Sequence, residues 1–469
     1  MRRPILDAAA RPVSGASIAL LRIAFGVFMV IDVGLYLPQL VTSYYVEPSF
    51  NFAYDPWGLV RPLPGEYTMH LVYVVKGIAG VLIALGLWYR WAAATLFALT
   101  TYVFLLDSSF FQNHEYLISM LSLWLIVLPT HRMWSLDARR RPHLASTTQP
   151  AWILWFLRFQ LGVPYVYGGI AKLNADWFAG EPIRMWLAAR TDVQVIGRWF
   201  TNEPVVWFAA YGSLLLDLTV VGFLLHRRTR VPAFVIAVTF HLLNARLFGL
   251  FVFPWLMIVA TTIFFDPDWP LRVRDRWRAR GRGGAAPVDP ASAPRREGPV
   301  TAPATFDGTR PAPHGRRLSP AVGAILAVWI LVQLLVPLRH LAIPGDANWT
   351  EEGHRFAWHM MLRTKSGTVT FTVDDGRDLW VEDPLDHLSE AQFRRLPGHP
   401  ERLARFAHHL SDLYGGAEVR ADTSVALNGR TPVPIVDPDL DLSTVQVPWW
   451  GHAEWILPNP EPLRPDRSP

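Results

Sequence analysis

The 469 residues contain no cysteine. Disulfides, zinc–thiolate sites and thiol nucleophiles are thereby excluded. Lysine is nearly as scarce: Lys76, Lys172 and Lys365 are the only three, so the net charge of +5 rests on arginine. Those arginines gather in short segments between apolar runs, the pattern of positive-inside membrane topology rather than of nucleic-acid binding. The first apolar run, 16–37, lacks a small-residue cleavage site and is read as a retained span. Metal-ligand spacing is missing too. His408 and His409 are adjacent, so one helix cannot turn both toward an ion, and no metal is expected. Nor is there an internal repeat, which a transporter of paired broken helices would show.

What is present is apolar surface: 51% of residues are hydrophobic, with 21 Trp, 26 Phe and 13 Tyr. A bilayer core takes about 20 mostly apolar residues per helix. Nine candidate spans follow, at roughly 16–37, 68–88, 91–106, 115–130, 150–171, 205–225, 231–247, 248–265 and 319–338. The seventh and eighth form one stretch about 50 Å long as a helix, so a sharp turn is expected near Asn244–Gly249, with short or re-entrant halves an option. If nine spans alternate, Arg2, Arg3, Arg11, Arg90, Arg132, Arg139, Arg140, Arg141, Arg227, Arg228 and Arg230 all share one side. That side is the cytoplasm, which places the N-terminus inside and the C-terminus outside the inner membrane.

The expected organisation is a mainly α, polytopic helical bundle over 1–270, a basic Pro/Gly-rich cytoplasmic linker over 271–318, a last span over 319–339 and a β-rich extracytoplasmic domain over 340–469. The linker composition cannot bury a core. In the last part, GTVTFTV and DLWVED flank an Asp-Asp-Gly-Arg turn, which predicts a hairpin. HPERLARFAHHLSDLYGG predicts a helix ending at Gly-Gly, and RADTSVALNGRTPVPIVDP alternates like a strand.

The fifth span ends in YVYGGIAKLNADWFAGEP, with Lys172 before a short Asp-Trp loop. On spacing alone Lys172 is a lysine snorkelling from a helix end. In order along the chain stand YDPWGLVRPLP, FLLDSSFFQNHEYL, LLLDLTVVGFLL, FHLLNARLFGLFVF, FFDPDWP, NWTEEGHRFAWHMMLRTKSG and ALNGRTPVPIVDPDLDL. Together they cover about 16–450, and the sequence resembles the vitamin K-dependent gamma-glutamyl carboxylase family, with the membrane half resembling the helical domain shared with a wider superfamily. The resemblance implies a β-sandwich-like tail and an enzyme of the carbon–carbon lyase class. Its chemistry would be oxygenation of reduced vitamin K (phylloquinol or menaquinol) by O2 to the epoxide. The alkoxide formed on the way would remove a glutamate γ-proton, and CO2 would add to the carbanion. Partners implied are membrane lipid, the quinol and a Glu-containing peptide or protein, with no nucleic acid. Two features of animal members, a disulfide between the two parts and an exosite for a substrate propeptide, have no counterpart in these motifs. Epoxidation without carboxylation therefore stays open, as does a non-enzymatic scaffold or transporter.

By the same resemblance Lys172 is the weak base that deprotonates the quinol, since burial can bring an amine near neutrality. His114 and His340 join it as catalytic residues. Asn113, Asp107, His241, Trp358, Met360 and Met361 are expected at the quinone. All but Asp107 have a plainer alternative: Asn113 as a helix cap, His114 and His340 as interfacial or surface histidines, His241 as a hydrogen-bonded link between helices, and the Trp–Met cluster as ordinary core. Lys76, inside the second span, receives no role.

Overall fold

The computed structural model describes residues 2–38, 40–54, 59–250, 252–281 and 319–460. Each apolar run forms a helix, since a backbone crossing lipid must satisfy its hydrogen bonds within itself. In chain order these are α1 Ala16–Tyr36, α2 Thr68–Leu85, α3 Tyr89–Leu106, α4 Asn113–Val127, α5 Ala151–Ala171, α6 Glu203–Leu225, α7 Arg230–Phe248, α8 Phe253–Thr261 and α9 Pro320–Leu335. Six are long and apolar enough to cross a membrane: α1, α2, α3, α6, α7, and α9 with its continuation to Ala342. Length and composition thus support six of the nine expected spans, and the other three helices show why they fall short of that measure. At 15 residues, α4 is only about 22 Å long, and α8 has 9 residues before a 3-10 turn. α5 has 21 residues but carries Arg158, Gln160 and Pro164. The break between α7 and α8 falls at Gly249, whose left-handed φ of 61° caps α7, as glycine permits.

Successive helices run back and forth between two ends. At one end Arg22 donates to the carbonyls of Ala84 and Trp134 at 2.8 and 2.7 Å, and Asp137 accepts from the Trp88 and Tyr89 amides at the start of α3. Asp266 pairs there with Arg230 at 3.0 Å. Helices α1 and α2 touch backbone to backbone, because a Cβ on Gly26 would lie 2.5 Å from the Gly80 carbonyl. Beyond α8 a basic helix, Trp269–Gly281, continues into the segment expected to be linker, so that segment does not begin as irregular chain. The rest of the expected linker lies outside the described residues.

The other end carries the C-terminal domain. Strands β1 Lys365–Asp374 and β2 Leu379–Glu382 form the expected hairpin, and β3 Glu418–Leu427 pairs antiparallel with the far side of β1. Asp375 closes the hairpin turn by accepting from the Arg377 and Asp378 amides at 2.8 Å. Helix α10, Pro400–Leu413, lays Leu403, Phe406 and Leu410 on Phe371, Val419 and Ala421 of the sheet. Among the described residues a helix thus covers the inner face, where a sandwich would place a second sheet.

The two parts are fastened by polar side chains. Asp107, at the end of α3, accepts from Gln392 at 2.7 Å, Asn51 at 3.2 Å and the Ser109 amide at 2.7 Å. Trp186 donates to the Thr364 hydroxyl at 2.6 Å, and Arg402 donates to the Ser108 carbonyl at 3.0 Å.

Candidate functional site

Helix α5 stops at Ala171 because Asn174 turns the chain. Its amide nitrogen donates to the Ala171 carbonyl and its oxygen accepts from the Trp177 amide, both at 2.9 Å. One side chain therefore closes α5 and caps the next turn, Ala175–Phe178. Lys172 sits at this corner, 5% exposed, with its Nζ 5.2 Å from the centre of a Trp177 ring. Trp177 in turn donates from Nε1 to the Ala210 carbonyl of α6 at 2.9 Å.

The partner of Lys172 is Asp217 of α6, which it contacts as a buried hydrogen-bonded ion pair. The pairing depends on small residues. A Cβ on Gly169 would meet Leu218 backbone nitrogen at 2.9 Å, so no larger residue fits between α5 and α6 at this level. The sequence suggested burial as what tunes Lys172; in the structure an acidic side chain from another helix also meets it. Asp217 was missed, although an acid inside the apolar run LLLDLTVVGFLL was the available signal.

The segment 351–361 comes down onto this corner from the C-terminal domain. Glu351, Phe356, Trp358 and Met361 all have positive φ, between 50° and 66°, and such backbone strain in non-glycine residues gathers where structure is over-determined. Met360 reaches α5: a Cβ on Gly168 would lie 3.1 Å from its methyl group and 3.5 Å from Asp217 Oδ2. Next to it, the His359 carbonyl accepts from Asn113 Nδ2 at 3.2 Å, and the His359 ring meets His340 edge to face at 4.5 Å. Met360 and Asp217 thus both border Gly168 of α5, and His359, next to Met360, contacts Asn113 and His340.

Among the described residues, several buried polar atoms here have no partner: Asn113 Oδ1, Trp358 Nε1 and both ring nitrogens of His359. Burying such groups unpaired is costly, so each points to a ligand or solvent. Burial pushes the His359 imidazole down to about 3. It is neutral at ordinary pH and can both donate and accept a hydrogen bond. His359 was not singled out in the sequence, where it stands within the matched HRFAWHMM.

Other expected site residues fall elsewhere. Asp107 is a joint to the C-terminal domain, its carboxylate engaged by Asn51, Gln392 and the Ser109 amide. Met361 is 39% exposed and lines a cavity of about 290 Å³ with His359, Arg363, Lys365 and Arg395. His114 and His241 flank Phe253, at 5.4 and 6.4 Å between ring centres. His241 is bound by the Tyr165 hydroxyl at 2.6 Å, on α5 two turns before Lys172. Among the described contacts neither histidine touches Lys172. Trp358 is buried against Tyr116, 5.1 Å between ring centres.

Comparison with known proteins agrees with this division. Residues 10–269 match the HTTM domain, and residues 318–462 match the domain described as vitamin K-dependent gamma-carboxylase, lumenal domain. No solved structure matches the chain. A multi-pass helical bundle covering more than half of the chain, completed by that lumenal domain, means that this protein belongs to the vitamin K-dependent gamma-carboxylase family and has a gamma-carboxylase-like function.

Proposed function

We propose that the protein oxygenates a reduced vitamin K-type naphthoquinol with O2 and uses the base so generated to carboxylate glutamate side chains of a peptide with CO2. The quinol's oxygenation supplies a base far stronger than any side chain, which the weakly acidic γ-proton of glutamate requires. The protein's own task is smaller: hold the quinol, remove its hydroxyl proton and keep water away.

The observation that carries the reading is the buried Lys172–Asp217 pair beside unpartnered polar atoms. A hydrogen-bonded amine and carboxyl group out of water can hold their shared proton on either partner. With the proton on Asp217, the Lys172 lone pair is free to accept one from a quinol hydroxyl. Asn113 Oδ1, Trp358 Nε1 and the His359 ring suit a flat aromatic ligand with two oxygens, since they offer both donors and acceptors. Met360 and Trp358 would supply apolar contact to such a ring, and His340 would orient His359. Asp107 is left out of the quinone set for the contacts given above.

The arginines of the short connections lie at the end opposite the C-terminal domain, which supports a cytoplasmic N-terminus and an extracytoplasmic C-terminal domain. In this reading the membrane part is catalytic and the peptide approaches from the outside.

The test is one assay of the purified protein in lipid with reduced vitamin K, O2, labelled CO2 and a Glu-containing peptide. Epoxide and labelled peptide together are expected. Epoxide alone would remove carboxylation, and neither product would remove the enzyme reading.

A further inference from the structure

Asp176 is 7% exposed and five residues beyond Ala171, the end of the membrane helix at Lys172's corner, yet its side-chain partners belong to the C-terminal domain. Arg430 grips its carboxylate with both terminal nitrogens, Nη2 to Oδ1 at 2.6 Å and Nη1 to Oδ2 at 2.7 Å. Asn428 adds a third bond from Nδ2 at 2.6 Å. A two-pronged guanidinium–carboxylate contact fixes direction as well as distance.

The grip is mounted on a stiff support. After β3 the chain turns at Asn428 and Gly429, with φ of 48° and 72°, and the Arg430 amide returns to the Leu427 carbonyl at 3.0 Å. Positive φ at both central residues is the form that favours Asn-Gly in tight turns. Asn428 is also tied to Thr364 beside β1: its Oδ1 accepts from the Thr364 amide and its own amide donates to the Thr364 carbonyl, both at 2.8 Å. Strand pairing therefore sets where Arg430 stands.

We propose that Arg430 and Asn428 are positioning residues for Lys172, acting through Asp176. The path is short. Asp176 adjoins Trp177, whose ring borders the Lys172 amine and whose indole is bonded to α6, the helix of Asp217. Releasing Asp176 leaves a buried carboxylate without its cation, which drives the loop toward water and takes Trp177 with it. The lysine then loses one wall of its site, and the sheet's turn is what prevents this. The proposal rests on Lys172 being the base, and its test separates the two.

Full-length Arg430→Gln, Asp176→Asn and Asn428→Gly variants would be compared with wild type in lipid nanodiscs. Asn428→Gly keeps a residue that tolerates the turn and removes only the side-chain amide, so it serves where the stronger changes hinder folding. Turnover and KM for reduced vitamin K would be measured as functions of pH. In parallel, acylation of each lysine by an amine-reactive probe would be read by mass spectrometry, where Lys172 is resolved against only Lys76 and Lys365. A loop displaced by about 1 Å is expected to lower kcat roughly tenfold or more, leave KM little changed and raise Lys172 labelling relative to Lys365. Arg430→Gln combined with Asp176→Asn should cost no more than either alone, and Arg430→Lys should restore part of the loss. Wild-type turnover and wild-type Lys172 labelling in any folded variant that breaks the grip would overturn the proposal. Altered labelling in a protein whose wild type makes no epoxide would keep the grip and remove the catalytic reading.

Discussion

Lys172 and Asp217 meet across the α5–α6 contact, each with 6% of its side chain exposed. Neither has another charged partner in contact among the described residues, so each determines the environment of the other. Lys172→Ala is expected to abolish epoxide formation while inserting normally. Lys172→Arg should not restore it, because a guanidinium stays protonated and cannot accept the quinol proton. Epoxide formation by Lys172→Ala at most of the wild-type rate would place the base elsewhere.

Asp217→Asn keeps a hydrogen-bond acceptor but removes the charge. Breaking a buried pair by removing one partner costs about 3–5 kcal/mol, less where a neutral acceptor still receives the amine's hydrogen bond. The variant is therefore expected to fold and to show an altered pH profile of turnover. A profile superimposable on wild type would show that the pair does not govern the proton.

Gly169 is the point where α5 and α6 touch. Gly169→Leu should separate the helices, lower the melting temperature and weaken turnover together, since even a Cβ would lie 2.8 Å from the Leu218 side chain. Gly212→Ala, on the same α6, meets nothing within 4 Å and is expected to be neutral or slightly stabilising. Equal effects of the two would contradict the close approach.

The C-terminal domain is expected to lose stability on mild acidification. Burial holds His354, His359 and His399 below the ordinary 6.5, His359 at about 3. Below pH 6.5 the unfolded chain takes up protons at these sites and the folded one does not, so folding weakens as pH falls. The slope is about 1.4 kcal/mol per pH unit for each histidine. Burial raises the Glu351 carboxyl, but Arg363 and Lys365 outweigh it and hold it well below 4.5, so its contribution disappears only at lower pH. Melting measured from pH 7 to 5 should show the decline, and His354→Gln should flatten it. A constant melting temperature would refute this account.

Orientation can be tested by fusion. A reporter after Pro469 should be active only outside the cytoplasm, and one near Gly284 only inside. The reverse at either site would remove the alternating arrangement proposed from the arginines.

The helices were legible in the sequence because lipid demands uninterrupted apolar length, and the hairpin and α10 because turn residues and periodicity mark them. Length alone could not say which helices cross: α4 is short and α5 is interrupted by Arg158 and Gln160. At the site, Lys172 stood out through its motif. Asp217 lies 45 positions away and His359 belongs to another domain, so the contacts each makes depend on packing that no local pattern records. Asp107 shows the converse: its motif suggested the quinone, while its carboxylate is engaged at the joint to the C-terminal domain.

The grip on Asp176 also has a consequence in time. Asn428 and Arg430 follow Asp176 by 252 and 254 positions. At roughly 5–20 residues per second, a ribosome needs about 13–50 seconds to make that stretch. For that interval the nascent membrane helices hold the lysine corner without its brace, and the corner reaches its final form only when the last strand of the sheet has been made and folded.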